Sequence, residues 1–525
     1  MTTPGSDTSK PSFTATLRRF AVMWLYATVL LLLISWDSYC YDLWAHYDTN
    51  WFFTCGKAWM NGMVPYVDFT DSKGPLLWLI YGVGYLISPH NFVGTFWIST
   101  VVFAAIFHCC YAIAALHLRH RGLRMLAVVV VSVFLTNGFV HDEVRAEDYC
   151  QLFVAPVLYM AAKHIHGDNS TRLAARAAFT LGLALAGTLL IKYSFTLMLA
   201  VFIPYFAVTV PRRCHLPVAR ALGAMTLGAA TLLMPFVVWF AVLGNLDDFI
   251  HEYFFVTATT LHNLRGDKLS TASLLEVVLK KSIILYVLAL AAGVALYVKR
   301  RHGAGKFLLL ALLWFLAATL PNGKTWFYFS SMALFSVFGI TALLQPAQQR
   351  LAAWWAQLAL AAAVLFPYSF TVTSATNSWY SHDSFHGHRY YYYAGILSQV
   401  DHPRVLFWAM HDKGYGIPVD ALPACKYWAQ QEGATPAMKQ MQWETVRERR
   451  CDFVFVDEDD TALTHKLDSL GYQRFDFFKS REGLTPAMTT GHTLLYSARP
   501  LREMTTRVTS RDILFKHDIH PQPVQ

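Results

Sequence analysis

Acidic and basic side chains in the first 150 residues of this chain gather in two loops between strongly apolar segments. The first loop carries Asp37, Asp42, Asp48, Asp68 and Asp71, together with Lys57 and Lys73. Charges beside a bilayer are costly unless they are paired or functional. Carboxylates at a low-dielectric boundary suit general-base catalysis, and a lysine there suits phosphate binding. The first loop is therefore a candidate site.

The second loop runs from His141 to Asp148 and repeats this pattern. It holds four acids and one arginine, namely Asp142, Glu143, Glu147, Asp148 and Arg145. We expect both loops to emerge on the same face of the protein. A base, a phosphate clamp and an apolar groove together suit a sugar joined by phosphate to a long lipid, whose tail would stay in the membrane.

The composition indicates a polytopic helical membrane protein. The chain has 525 residues, of which 55% are hydrophobic and only 15% are charged, whereas a soluble protein has about 25% charged residues. Apolar runs of roughly 16 to 25 residues recur between charged loops. The net charge of +9 lies mostly in short loops, where it sets topology and does not indicate nucleic-acid binding. The first apolar run, Phe20 to Ile34, has no cleavage site and is predicted to be an anchor.

Six clusters of Lys and Arg, at 10–19, 119–124, 163–176, 212–220, 299–306 and 350, predict the orientation. Placing all six in the cytoplasm puts the acidic loops outside and requires an odd number of spans, about eleven. The predicted spans are 18–36, 92–116, 124–140, 149–164, 175–191, 194–210, 221–242, 279–298, 306–320, 327–344 and 352–370. The apolar segment 75–88 is short for a span, so we interpret it as an interfacial or re-entrant helix.

After about residue 372 the chain becomes mixed in composition, and strand-like and helix-like segments alternate, which predicts a small α/β domain. We expect strands at 404–408, 452–456, 472–478 and 493–497. We expect helices at 423–432, 436–450 and 461–470. The predicted domains are a transmembrane domain at 1–371 and an α/β domain at 372–525, which the charge pattern places outside the cytoplasm.

Individual residues of these loops have both ordinary and functional interpretations. Asp68 and Asp71 flank turns, where aspartate often only caps, and Asp142 and Glu143 could be solvated loop acids; alternatively, all four support the loop or an acceptor. Asp48 precedes an aromatic run and is interpreted as functional. Lys73 lies before Gly74-Pro75 at a helix start. Lys192 interrupts two apolar helices at the outer face and could pair a phosphate or an acid. Lys324 and Tyr328 also lie at the outer face and could hold the lipid or sugar of a donor, or belong to an interfacial aromatic belt. Arg145 of the second loop is a further candidate ligand of the donor phosphate or lipid.

The first loop resembles that of C-type (GT-C) membrane glycosyltransferases, especially bacterial mannosyltransferase-like and aminoarabinose-transferase-like proteins. The resemblance is carried by Asp48, then Asn61-Gly62-Met-Val-Pro65-Tyr66, then Lys73-Gly74-Pro75-Leu76. It implies inverting transfer of a sugar from a polyprenyl-phosphate donor, with Asp48 as the catalytic acid residue that binds or deprotonates the acceptor. It also implies Lys73 as a donor-phosphate ligand and Glu147 as the second-loop acid. Asp48 is followed by Thr49 and not by a second acid, a departure from the family pattern.

The overall prediction is an all-α polytopic membrane protein with a small extracytoplasmic α/β domain. It would sit in the cell (inner) membrane with its active site on the periplasmic side. The expected partners are the lipid-linked donor, a lipid, glycan or protein acceptor, and the bilayer. The sequence indicates no cofactor with certainty, and a divalent metal ion is one possibility. Alternatives are a lipid-linked oligosaccharide ligase or polymerase, a transporter or flippase, and a non-catalytic scaffold.

Overall fold

The computed structural model describes residues 13–35, 37–38, 47–136, 144–260, 283–301, 305–319, 329–372, 392–430, 434–477, 493–502, 504–505 and 522–523. The described residues up to 372 are mainly helical, and a mixed sheet forms among the described residues after 403. The first helices are α1 (Phe13–Ile34), α2 (Tyr47–Met60), α3 (Pro75–Ile87), α4 (Val93–Ala115), α5 (Arg121–Leu135), α6 (Ala146–His166), α7 (Thr171–Ile191) and α8 (Tyr193–Leu199).

The helical part continues with shorter and bent segments. α9 (Phe202–Pro204), a π-helix (Tyr205–Thr209) and α10 (Val210–Arg213) follow one another without a break. They are followed by α11 (Val218–Leu243), α12 (Leu246–Ile250) and a second π-helix (His251–Val256). The later helices are α13 (Ile283–Arg301), α14 (Lys306–Thr319), α15 (Phe329–Ala333), α16 (Ser336–Ala347) and α17 (Trp354–Val372). Helix α7 packs along α11, α1 along α4, and α2 along α3.

Within the described residues, four helices are long and apolar enough to cross a membrane, namely α1, α4, α7 and α11. The bent pair Tyr193–Leu199 and Phe202–Arg213, with an angle of 47° between its halves, would make five if it is one span. Several other predicted spans fall on shorter helices, such as α5 with 15 residues and α14 with 14. The count of about eleven spans therefore stays a prediction, as does the interfacial placement of the 13-residue α3.

The C-terminal region forms a five-stranded sheet with the order β2-β1-β3-β5-β4. Its strands are β1 (Arg404–Phe407), β2 (Leu422–Pro423), β3 (Phe453–Asp457), β4 (Gln473–Phe475) and β5 (Thr493–Ser497), with helices α18 (Pro436–Arg447) and α19 (Thr461–Ser469). Strand β1 is parallel to β2 and β3, whereas β5 is antiparallel to β3 and β4. The short strands β6 (Met504–Thr505) and β7 (Gln522–Pro523) form a separate antiparallel pair.

One prediction for this region is wrong in its described part. The segment 423–430 is not a helix but the end of β2 followed by turns. Its residues satisfy their backbone groups by long-range contacts: the amide of Ala424 donates to Val405 O at 3.0 Å, and Phe407 N donates to Trp428 O at 2.7 Å. Tertiary pairing with β1 therefore overrides the local helical preference.

The sheet has two apolar faces because side chains alternate along a strand. Leu406, Val454 and Val456 belong to a small core with Leu463 of α19. Phe407, Phe453 and Phe455 belong to the large core that also contains Trp51 of α2. The rings of Trp51 and Trp428 lie 5.5 Å apart. The C-terminal region and the helical part therefore share one continuous core, and α2 lies where the two meet.

Candidate active site

Lys73 lies at the end of the loop that joins α2 to α3, where the chain turns into a new helix. Pro75 occupies the first turn of α3, where its missing N–H is harmless and its fixed φ favours the helix, and this fixes the exit of the loop. The Lys73 ammonium lies 5.2 Å from the centroid of the Phe52 ring and 3.1 Å from Ser72 Oγ. A cation over an aromatic face is attracted by the ring quadrupole, so α2 helps to hold Lys73.

Gly74 allows this loop to touch the break between α7 and α8. Its amide donates to Ile191 O at 2.9 Å. A Cβ atom at this position would lie 2.1 Å from Leu190 O and 2.9 Å from the hydroxyl of Tyr253. Only glycine fits such a close backbone approach. The Lys73-Gly74 sequence therefore places Lys73 beside Lys192, which occupies the α7–α8 break.

Lys192 makes an ion pair with Glu147. The Lys192 ammonium donates directly to Oε1 of Glu147, and the two side chains are 18% and 6% exposed. Glu147 lies in the first turn of α6, where the helix dipole favours a negative charge. The hydroxyl of Tyr253 accepts from Tyr193 N at 3.0 Å and donates to Leu189 O at 2.6 Å. Tyr253 therefore braces the break on both sides of Lys192.

Asp71 is buried two residues before Lys73, with 6% exposure. Burial raises the pKa of the Asp71 carboxyl, and this exceeds the opposing effect of the Lys73 ammonium. The pKa of Lys73 is raised: burial lowers it, but the carboxylates of Asp71, Asp48 and Glu147 together outweigh burial and the repulsion from Lys192. Lys73 is therefore held protonated among acids from three segments of the chain.

Asp48 lies in the first turn of α2 and is exposed. It interacts electrostatically with both Asp71 and Lys73. The structure thus brings the two predicted loops together in one cluster, which we call the charged cluster: Asp48, Asp71, Lys73, Glu147 and Lys192. It consists of two ammonium groups and three carboxyl groups, of which the carboxyl of Asp48 is exposed.

The structure places the other predicted residues differently. Arg145 precedes α6, where its backbone N–H donates to Asp148 Oδ2 at 2.9 Å, an N-terminal capping contact. Asp68 accepts from Val64 N at 2.7 Å and so supports the loop turn. Asp142, Glu143, Lys324 and Tyr328 lie outside the described residues.

Two features were missed by sequence reasoning. Asp71 was grouped with loop-supporting acids, but it is the carboxyl closest in sequence to Lys73 and is buried beside it. Tyr253 begins the aromatic run Tyr253-Phe254-Phe255, and nothing in the sequence shows that its hydroxyl braces the α7–α8 break. The nearby Glu252 accepts from Lys426 at 2.8 Å and from the Tyr427 hydroxyl at 3.0 Å. Through Glu252, the C-terminal region therefore contacts the same short segment that carries Tyr253, next to the charged cluster.

The described residues contain no group of three or more His, Cys, Asp or Glu side chains that could hold a metal ion. The acids of the charged cluster are each close to a lysine. The two ammonium groups of the cluster therefore partly neutralise its three carboxyl groups.

Two solved structures resemble this one over almost its whole length. The structure of ArnT from Cupriavidus metallidurans bound to undecaprenyl phosphate has a TM-score of 0.57 and 12% sequence identity, and the alignment covers 93% of this chain and 98% of that chain. The chain has the ArnT fold. The apo structure of the same ArnT gives a TM-score of 0.54, 11% identity and coverages of 92% and 98%.

This ArnT likeness supports the GT-C fold that the first-loop motifs implied. At 12% identity it concerns the fold and not the reaction. No protein-family model matches the sequence, and no curated protein matches it.

Proposed function

We propose that this protein is a membrane glycosyltransferase that moves a sugar from a polyprenyl-phosphate donor to an acceptor hydroxyl with inversion. The observation that carries the proposal is the charged cluster, which lies in a chain with the ArnT fold. One ArnT structure is bound to undecaprenyl phosphate. A lipid phosphate of this class would find two lysines here, Lys73 and Lys192, in partly buried surroundings where charge interactions are strong.

The proposed step is a single displacement at the anomeric carbon. The acceptor oxygen attacks this carbon, its proton passes to the Asp48 carboxylate, and the bond from the anomeric carbon to the phosphate oxygen breaks. The leaving polyprenyl phosphate gains one negative charge. Lys73 and Lys192 would stabilise that new charge, which is how preorganised cations lower a barrier.

The acids of the cluster have distinct proposed roles. Asp48 is the base because it is the accessible carboxyl of the cluster. Asp71 and Glu147 would hold Lys73 and Lys192 in place before the donor arrives. Arg145, Lys324 and Tyr328 remain proposed donor-side contacts, and Asp68, Asp142 and Glu143 remain proposed supports of the loop or acceptor.

We further propose that the cluster and the C-terminal α/β domain face the extracytoplasmic side of the inner membrane. The support is the distribution of Lys and Arg in the loops. Thr70 N donates to Lys426 O at 3.1 Å, and this contact between the first loop and the C-terminal region supports the proposal that both lie on the same side of the membrane. The proposed domains are 1–371 and 372–525, and the proposed number of spans is about eleven.

The test is sugar transfer by the purified protein in liposomes. The donors are undecaprenyl phosphate carrying labelled mannose or labelled aminoarabinose, and the acceptor source is an extract of envelope lipids and glycans. We expect time-dependent release of undecaprenyl phosphate together with label in a new product. Movement of intact donor across the bilayer, without cleavage, would instead indicate a flippase and contradict the proposal.

A further inference from the structure

Two opposite faces of helix α2 contact different parts of the protein. Asp48, Phe52 and Cys55 have the spacing i, i+4, i+7 and share one face. Asn50, Thr54 and Lys57 have the same spacing, offset by two residues, which at 3.6 residues per turn is a rotation of about 200°. The first face carries the groups that meet Lys73. The second face meets the C-terminal region.

The contact on the second face is made by residues 411–420, which we call the docking loop. Thr54 Oγ1 donates to Asp412 Oδ2 at 2.7 Å. The ammonium of Lys57 donates to Gly416 O at 2.7 Å and to Val419 O at 2.8 Å. Asp412 also accepts from Gly414 N at 2.7 Å. The three bonds from Thr54 and Lys57 join residues 358 to 362 positions apart in sequence.

The fit between α2 and the docking loop is close. Gly414 has φ +80°, and a Cβ there would lie 2.8 Å from Cγ of Asn50. The Trp51 ring lies 6.0 Å from that of His411. Thr54 is 7%, Lys57 0% and Asp412 1% exposed. Desolvating a lysine and an aspartate is costly, and the hydrogen bonds of Lys57 and Asp412 offset part of this cost.

We propose that Lys57 and Asp412 are positioning residues of the transfer reaction: they fix α2 against the docking loop, and so hold Asp48 and Phe52 at Lys73. This rests on the proposed function. Neither Lys57 nor Asp412 touches the donor in this proposal. They act by fixing the rotation of α2 about its axis and its position along that axis. Because the helix is rigid, a displacement at Lys57 also displaces Asp48 and Phe52 on the opposite face.

The chain contains a reporter of this positioning that does not depend on activity. Cys55 is on the same face as Asp48 and is 0% exposed, and it interacts electrostatically with Asp71, Asp412 and Lys73. Its labelling by a thiol reagent, quantified for this residue by mass spectrometry, therefore measures displacement of α2 from the cluster.

The variants are Lys57→Met and Asp412→Asn, which remove one charge each, and Thr54→Val, which keeps the shape and removes only the bond to Asp412. The matched controls are Lys439→Met and Asp459→Asn, whose side chains are exposed in the C-terminal region. We expect the kcat of Lys57→Met and Asp412→Asn to fall roughly 10- to 100-fold, with affinity for undecaprenyl phosphate changed by less than about 3-fold. Thr54→Val should show a smaller loss in the same direction.

Cys55 labelling should be faster in all three variants and unchanged in the controls. Lys57→Arg should recover part of the kcat, since the charge survives. Unchanged kcat and unchanged Cys55 labelling in folded Thr54→Val and Asp412→Asn would overturn the proposal. So would an equal loss of kcat and donor affinity, which indicates general disruption. If the wild type transfers no sugar, the proposed function fails, but Cys55 labelling still decides whether the docking loop positions α2.

Discussion

The ammonium of Lys192 and the carboxylate of Glu147 form a direct ion pair between the α7–α8 break and the first turn of α6. The pair lies close enough to Lys73 to affect its pKa, which Glu147 raises and Lys192 lowers. The carboxyl groups around Lys73 and Lys192 offset the repulsion between the two ammonium groups. An incoming lipid phosphate would meet both cations already in place.

Lys73 is expected to hold the phosphate of the donor. Loss of one desolvated charge–phosphate contact costs about 2–4 kcal/mol, so Lys73→Ala should weaken the binding of undecaprenyl phosphate roughly 30- to 1000-fold. Lys73→Arg should retain part of the affinity, since its charge survives in a different geometry. The control is Lys163→Ala, which removes a half-exposed lysine paired with Asp168 at 3.0 Å. Equal donor affinity in Lys73→Ala and wild type would remove Lys73 from the donor site.

Glu147 and Lys192 should act as a coupled pair. Either Glu147→Gln or Lys192→Met leaves the other charge buried without its partner, so each should lower the melting temperature and slow transfer. Glu147→Gln should slow transfer less than Asp48→Asn does. The double variant removes both charges, and we expect a stability coupling of about 1–3 kcal/mol in a double-mutant cycle. Additive losses would show that the two side chains do not interact in solution.

Gly74 should tolerate no side chain. In Gly74→Ala the new Cβ would lie 2.1 Å from Leu190 O, so the loop must move away from the α7–α8 break and take Lys73 with it. We expect lower thermal stability and loss of donor binding. Gly223→Ala in α11 is the matched control, because a Cβ there meets nothing within 4 Å and alanine is the better helix former by about 1 kcal/mol. Wild-type donor binding by Gly74→Ala would contradict the close approach.

The stability of the protein should depend on pH through Lys57. Burial lowers the pKa of Lys57 from 10.5 to about 8, since desolvation outweighs the nearby charges of Asp412 and Asp420. Between pH 8 and 10.5 the unfolded chain binds a proton that the folded chain has released, so this lysine's contribution to the free energy of unfolding rises with pH.

The measurement is the melting temperature of wild type and Lys57→Met across that pH range. The difference between the two should shift in favour of the wild type as the pH rises. The difference in melting temperature between wild type and Lys439→Met should not change with pH. A pH-independent difference for Lys57→Met would contradict the lowered pKa of Lys57.

The sequence predicts those parts of the fold that depend on local pattern. The strands at Arg404–Phe407, Phe453–Asp457 and Thr493–Ser497 were expected from short apolar β-branched and aromatic runs. The helix at Pro436–Arg447 was expected from its composition and is confirmed. The helix predicted at 423–430 is wrong because contacts with β1 and α2 determine the conformation of this segment. The local sequence of the segment does not reveal those long-range contacts.

The candidate site could be predicted only in its outline. Lys73, Asp48 and Glu147 stood out because charged residues beside apolar runs are rare, and the structure gathers them in one cluster. The burial of Asp71 and the brace at Tyr253 depend on the close approach at Gly74, a distance that no spacing in the sequence reveals. Lys57 contacts a loop more than 350 positions away in sequence. Its neighbours in the sequence therefore give no sign of this contact.

The most direct test of the central claim is turnover of a labelled undecaprenyl-phosphate sugar by Asp48→Asn beside the wild type. This change keeps the shape of the side chain and removes the charge that would accept the proton of the acceptor. We predict that Asp48→Asn binds undecaprenyl phosphate and folds like the wild type, but transfers no sugar above background. Near-normal transfer by folded Asp48→Asn would contradict the account, because the cluster would then contain no accessible base at the proposed position.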